Sequence, residues 1–173
     1  RPNRRFCRRR ARGQRRLTAA RRRHRLRPIM VLLHATCVAV GENGVLLRGP
    51  SGCGKSDLAL RLIDTGARLV SDDQTELRRS ANRLEARPPP EIAGLLEVRG
   101  VGVVPTDNLP AALLSAVVDL VASDAIERLP AAECCIYLGV SVPLFRLSAF
   151  ETSAPAKLRL AVEVAAGLIM PVP

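Results

Sequence analysis

Gly49-Pro50-Ser51-Gly52-Cys53-Gly54-Lys55-Ser56 has the spacing G-x-x-x-x-G-K-S of a phosphate-binding loop. The letters follow from the chemistry. Glycines let the backbone curl until several N–H groups point at one polyphosphate. The lysine ammonium reaches the outer phosphates, and the serine hydroxyl is placed to hold Mg²⁺. A glycine-rich turn could carry the same letters by chance, so the flanks decide. Val45 to Arg48 is a short apolar run before the loop. Asp57 to Thr65 follows it, with Leu58, Ala59, Leu62 and Ile63 at helical spacing and Gly66 as a cap. Strand, loop and helix agree, so Gly49, Pro50, Ser51, Gly52, Cys53, Gly54, Lys55 and Ser56 are expected to bind nucleotide phosphates.

Upstream, Val31 to Val40 reads as one strand carrying His34. The Asn43-Gly44 step predicts a hairpin between it and residues 45–48. A single strand histidine ordinarily packs and hydrogen-bonds. Downstream, Ala67 to Ser71 is a strand that ends in Asp72-Asp73. In open α/β sheets, ligands sit beyond the carboxyl ends of strands. An acid there can face Mg²⁺ or the attacking nucleophile. Successive strand side chains point opposite ways, so the two acids are not expected to share one job.

Residues 74–79 and 83–86 predict a second hairpin, ended by Pro88-Pro89-Pro90. One helical turn is expected over 91–96. In the stretch 96–104, Glu97 and Arg99 would share a strand face, as a metal ligand and a phosphate contact or as a surface ion pair. Ala116 to Val121 is a buried strand, and Ser123 is expected to cap a short helix over 124–129. Residues 135–140 and 143–147 are strand-like. Ser153 is expected to cap a last helix, Ala154 to Ala166, with Leu158, Ala161, Val162 and Ala165 on its apolar face.

The 173 residues suggest one domain with an aliphatic core, since only one Tyr, three Phe and no Trp are present. The net charge of +11 is uneven. Residues 1–29 contain fourteen arginines and no acid, and the other thirteen basic residues face sixteen acids, a net of −3. Residues 1–29 are therefore expected to be a disordered basic arm. It could contact nucleic acid or an acidic membrane, or serve as a targeting peptide, but it has no apolar core of a secretory signal. The sharp change of composition at Met30 favours a true start there. Five cysteines form no C-x-x-C pair, and no apolar run of about 18 residues exists, so a cytoplasmic protein without a membrane partner is expected.

These pieces resemble the catalytic domain of the HPr kinase/phosphorylase family. The resemblance rests on L-H-A-T at 33–36, the hairpin, G-P-S-G-C-G-K-S at 49–56, L-A-L-R-L-I-D-T-G-A-R-L-V-S-D-D at 58–73, and L-L-E-V-R-G-V-G-V-V at 95–104. It covers about residues 31–166. It implies an α/β P-loop kinase domain related to the nucleotide site of phosphoenolpyruvate carboxykinase, here over residues 30–173. The implied activity is phosphate transfer from ATP, or in some members pyrophosphate, to a serine of HPr, a carrier protein of bacterial sugar uptake. The reverse reaction uses inorganic phosphate and releases pyrophosphate. Carried over, His34 is an active-site histidine, Lys55 and Ser56 act on phosphate and Mg²⁺, Asp72 or Asp73 is the general base, and Glu97 is a second metal ligand. Arg99 opens a stretch used in both directions.

Two departures stand out. Typical members carry a separate N-terminal domain, and the short form here resembles stand-alone versions from alphaproteobacteria. Typical members also have an R-P-G-R-N loop before the last helix, where this chain reads Ser148 to Lys157 without arginine. Arg146, Lys157 or Arg159 are candidates to replace it. The expectation is an ATP- and Mg²⁺-dependent serine kinase acting on HPr or an HPr-like protein, with weak phosphorolysis. A homo-oligomer stays open, and nucleic acid is expected only as a non-specific partner of the arm. The rivals are a small-molecule P-loop kinase, which should show an arginine-bearing lid, and a non-catalytic nucleotide sensor, against which the acid pair argues.

Overall fold

In a computed structural model, which describes residues 29–171, a curled nine-stranded sheet carries two helices on one face. The strands are β1 (Met30–His34), β2 (Thr36–Val40), β3 (Asn43–Arg48), β4 (Arg68–Ser71), β5 (Gln74–Ser80), β6 (Arg83–Arg87), β9 (Ala112–Leu120), β10 (Glu133–Tyr137) and β11 (Val140–Leu147). Their order is β1-β5-β6-β9-β3-β2-β4, with β11 also beside β9 and β10 outside it. β7 (Leu95–Val98) and β8 (Gly102–Pro105) form a separate hairpin. The helices are α1 (Lys55–Asp64) and α2 (Ala154–Ala165). The reading of the Arg-rich arm falls on residues 1–28, outside the described residues, and on Ile29.

Alternation along the strands splits the core in two. Val38, Val45, Leu47, Val118 and Leu120 point to the helix face and meet Leu58, Leu62 and Leu158. Cys37, Leu46, Val117 and Val142 point the other way, where the curled strands bring Leu77 and Leu84 over them. The β3–β9 pairing skips Ser115, a bulge that turns Leu114 to the second face and Ala116 to the first. Each fully buried leucine contributes roughly 1.5–3 kcal/mol. On α1 those leucines recur at helical spacing, Leu58 and Leu62, so their burial fixes the helix that follows the phosphate loop. Burial pushes the Cys37 thiol up to about 12.

The hairpins at 36–48 and 74–87 form as expected. The single strand expected over 31–40 does not. It breaks at Ala35: β1 pairs with β5, while β2 pairs with β3 and β4. The cause lies across the ladder. His34 faces Gln74 and Cys37 faces Ser71, but between these pairs Asp73 has φ +61, so both ribbons bend there and the sheet curls.

The helix expected over 124–129 is a single 3₁₀ turn, Ser123–Ala125, with no side-chain cap from Ser123. Leu129 is exposed, so no apolar face holds a longer helix. Ser153 precedes α2 as expected, yet its side chain makes no capping bond, because its own backbone is already helical (φ −80, ψ −3). The turn expected over 91–96 is a 3₁₀ turn, Pro90–Ile92, before β7 begins. Among the described residues, no helix is long and apolar enough to cross a membrane.

Candidate active site at the phosphate-binding loop

β3 and β9 run parallel, and β2 lies antiparallel to both β3 and β4. β3 and β4 therefore end at the same edge, which places residues 49–56 beside Asp72 and Asp73. Gly54 stands at the N-terminus of α1 with φ +92, and a Cβ there would lie 2.7 Å from the Ala149 Cβ. Only glycine fits both the backbone and the space. Arg48, the last residue of β3, grips Asp119 of β9 through Nε at 2.6 Å and a second nitrogen at 2.7 Å, and also donates to the Tyr137 hydroxyl. The Asp119 hydrogen bond raises the pKa of Arg48 further above its usual range. This bidentate pair pins the strand from which the loop departs.

Lys55 is buried, and its Nζ donates to the carbonyls of Gly49 at 2.9 Å and Pro50 at 3.1 Å. The Ser56 hydroxyl donates to Asp72 Oδ1 at 2.9 Å. Thr36 donates to the same oxygen at 2.8 Å, and the backbone N–H of Glu97 to Oδ2 at 3.1 Å. Asp72 is only 5% exposed, and these three donors satisfy it.

Asp73 points the other way. Its side chain is 62% exposed and lies 3.1 Å from His34 Nδ1. The backbone around it is tightly tied: Ala35 N–H donates to Asp73 O at 3.0 Å, and Gln74 N–H to Asp72 O at 2.7 Å. The second bond spans one residue, so Asp73 is the tip of a very tight turn. A non-glycine residue at positive φ in such a place is often a feature of a working site.

A cavity of about 340 Å³ collects His34, Lys55, Ser56, Asp73, Glu97 and Arg99, together with the walls of the phosphate loop. Asp72 stands behind its wall. The expected sharing of one strand by Glu97 and Arg99 is not found. Glu97 lies on β7, and Arg99 lies in the turn to β8, where Gly100 and Gly102 have positive φ. Both still reach the cavity. Gly49, Pro50 and Cys53 do not line it; Pro50 and Cys53 face a neighbouring groove with Leu120, Val121, Ser148 and Phe150.

The donor set suits a small hard cation. Among the described residues no three His, Cys, Asp or Glu side chains cluster as a metal cage. Mg²⁺ needs no such cage, since one or two protein oxygens complete a shell of phosphates and water. The Ser56 hydroxyl and the Glu97 carboxylate are oxygens of that kind.

A model of the HPr serine kinase C-terminal domain matches residues 28–165. The chain belongs to that family. Two Clostridium botulinum proteins named HPr kinase/phosphorylase, from strains Eklund 17B and Alaska E43, are each 43% identical over 77 residues, 44% of this chain and 25% of theirs. The protein of that name from Clostridium beijerinckii is also 43% identical over 77 residues, 44% of this chain and 26% of its own. The matched stretch thus spans about a quarter of the length of these curated relatives. The HPr(Ser) kinase/phosphatase from Coxiella burnetii has a TM-score of 0.72 at 24% identity, over 80% of this chain and 97% of that one. That likeness speaks for the fold, an α/β fold of the P-loop kinase type.

The stretch matched to the HPr serine kinase family contains every residue expected at the site. It also contains two that sequence reasoning missed. Thr36 sits in an apolar strand and reads as packing. Phe150 is 70% exposed at the cavity rim, where no periodicity marks it. The three candidates for the missing arginine loop are engaged elsewhere. Arg146 pairs with Glu133 at 2.5 Å, which lowers the pKa of Glu133 and raises its own. Lys157 pairs with Glu151. Arg159 donates to the Thr65 carbonyl and hydroxyl, both at 2.8 Å, at the C-terminus of α1. Arg61 instead holds residues 149–151, through the Ala149 and Glu151 carbonyls.

Proposed function

We propose that this chain transfers the terminal phosphate of ATP, with Mg²⁺, to a serine of HPr or an HPr-like protein in the cytoplasm, and that the reverse phosphorolysis is weak. The observation that carries the reading is the Asp73–His34 pair, exposed in the same cavity as Lys55 and the phosphate loop. A kinase needs a base at the mouth of its phosphate site, open to an incoming hydroxyl. Asp73 is that base and Asp72 is not, because Asp72 is buried and already accepts three hydrogen bonds.

The serine hydroxyl approaches Asp73, which takes its proton as the oxygen attacks the terminal phosphorus; the bond from that phosphorus to the bridging oxygen breaks and ADP leaves. His34, 3.1 Å away, holds the Asp73 carboxylate where it can take that proton. Lys55 leaves the Gly49 and Pro50 carbonyls for the outer phosphates, and the loop N–H groups hold the phosphates in line. Ser56 and Glu97 would hold Mg²⁺, which neutralises phosphate charge when bound. Arg99, which forms no ion pair among the described residues, reaches the transferred group. The groove at Pro50 and Cys53 leaves room for the nucleoside.

The test is incubation of the purified protein with labelled ATP, Mg²⁺ and HPr, followed by a search for acid-stable label on a serine. Label on HPr that disappears in Asp73→Asn supports the reading. No label on HPr, with label on a small hydroxyl compound instead, would favour a metabolite kinase.

A further inference from the structure

The two acids depend on one buried hydroxyl. Thr36 is fully buried on β2, opposite Asp72 in the break between the β1–β5 and β2–β4 ladders. Its Oγ1 donates to Asp72 Oδ1 at 2.8 Å and accepts from the backbone N–H of Asp73 at 3.4 Å. A hydroxyl has one proton and two lone pairs. With its proton committed to Asp72, a lone pair is left for Asp73. Its neighbours along β2, Cys37, Val38 and Ala39, are buried and apolar. A polar side chain is costly among them unless bonded, and among the described residues Asp72 is its one side-chain partner.

We propose that Thr36 is a positioning residue for both halves of the site. Through Asp72 it sets the Ser56 hydroxyl and the Glu97 backbone, which share that carboxylate. Through the Asp73 N–H it holds the tight turn that presents the Asp73 side chain to the cavity. The inference rests on the roles given above to Asp72 and Asp73. Valine has the shape of threonine without the hydroxyl. It would leave Asp72 one donor short and the Asp73 N–H without that acceptor. Serine would keep both bonds and lose only a methyl group.

The experiment compares Thr36→Val and Thr36→Ser in the full chain. One readout is the Mg²⁺ concentration that half-saturates binding of a fluorescent ADP analogue. The second is kcat and KM for transfer from ATP to HPr, and thermal melting reports folding. Thr36→Val should lower kcat and raise the Mg²⁺ requirement about 10- to 100-fold, the range for groups that orient a ligand from behind. KM for the protein substrate should stay within about twofold, because the hydroxyl is fully buried and does not itself touch that substrate. Thr36→Ser should recover both quantities to within about threefold.

A folded Thr36→Val with wild-type kcat and Mg²⁺ requirement would overturn the proposal. So would a Thr36→Ser as impaired as Thr36→Val, which would show that the methyl group matters and the hydroxyl does not. If Thr36→Val does not fold, Thr36→Ala removes the same hydroxyl with less crowding and takes its place. If the wild type labels no HPr, the functional reading fails, while the Mg²⁺ titration still decides the role of Thr36.

Discussion

The wall of the cavity built on Asp72 and the mouth built on Asp73 differ in almost every physical respect. Asp72 is 5% exposed and accepts from two hydroxyls and a backbone N–H. Asp73 is 62% exposed at its side chain, and His34, 3.1 Å from it, is itself half exposed. The wall is satisfied without a ligand. The mouth keeps oxygens available for one. In the function proposed above, holding a cation and phosphates calls for groups that do not move, whereas accepting a proton calls for a group the substrate can reach. Wall and mouth are adjacent residues of the chain, because Asp73 adopts a left-handed conformation and its side chain is thrown outward.

The sharpest way to break this comparison is Asp73→Asn. An amide cannot take the serine proton, so kcat should fall by roughly 10²- to 10⁴-fold. ATP affinity and the Mg²⁺ requirement should stay near wild type, since the base acts in the transition state. Steady-state kinetics beside nucleotide titration measures both. A variant with unchanged kcat would remove the base from the mouth.

Lys55→Ala comes next. It removes the one lysine of the loop and its two bonds to the Gly49 and Pro50 carbonyls. Transfer should fall by about 10²- to 10³-fold, as for loss of one preorganised donor to developing charge. The melting temperature should drop only slightly, since α1 is held by Leu58, Ala59 and Leu62.

Asp72→Asn tests the wall. Asp72 takes three donors on two oxygens, and asparagine has one acceptor oxygen. The Glu97 N–H cannot rotate, so the amide oxygen should turn to it, and the Thr36 and Ser56 hydroxyls must then reverse. The Mg²⁺ requirement should rise about 10- to 100-fold. At saturating Mg²⁺, kcat should recover further than in Asp73→Asn. Equal losses in the two variants at all Mg²⁺ concentrations would erase the distinction between wall and mouth.

The wall was more legible in the sequence than the mouth. Residues 45–66 spell strand, phosphate loop and helix, because a helix repeats every 3.6 residues and the loop letters are fixed by phosphate geometry. The Asn43-Gly44 step marks the β2–β3 turn for the same kind of local reason. The break at Ala35 is invisible, since Val31 to Val40 contains no glycine, proline or other turn residue to interrupt a strand. What divides it is the left-handed Asp73 across the ladder, a non-local cause. The placement of Arg99 in a turn follows from Gly100 and Gly102, which read equally well as interruptions of an edge strand. Thr36 gives no signal, because a threonine fits any strand. Its bond to the site appears only when Asp72, thirty-six residues away, comes within 2.8 Å.

The smallest expected effect concerns the rim. Phosphorolysis would bring inorganic phosphate beside phosphoserine, crowding negative charge that costs several kcal/mol unless cations offset it. The family pattern supplies arginines from the loop before the last helix, and residues 148–157 here contain only Lys157 as a cation. Lys157 pairs with Glu151, so its charge is largely spent before any phosphate arrives. A lysine is also a point charge and does not grip two phosphate oxygens as a guanidinium does. Lys157→Ala should therefore change neither direction by more than about twofold, within the range of an exposed ion pair. The check is pyrophosphate release from serine-phosphorylated HPr across a phosphate titration, beside the forward rate. In the same titration the wild type should run in reverse only at high phosphate. A Lys157→Ala variant that lost the reverse reaction alone would show that Lys157 leaves Glu151 when phosphate binds, and the rim would then belong with the mouth.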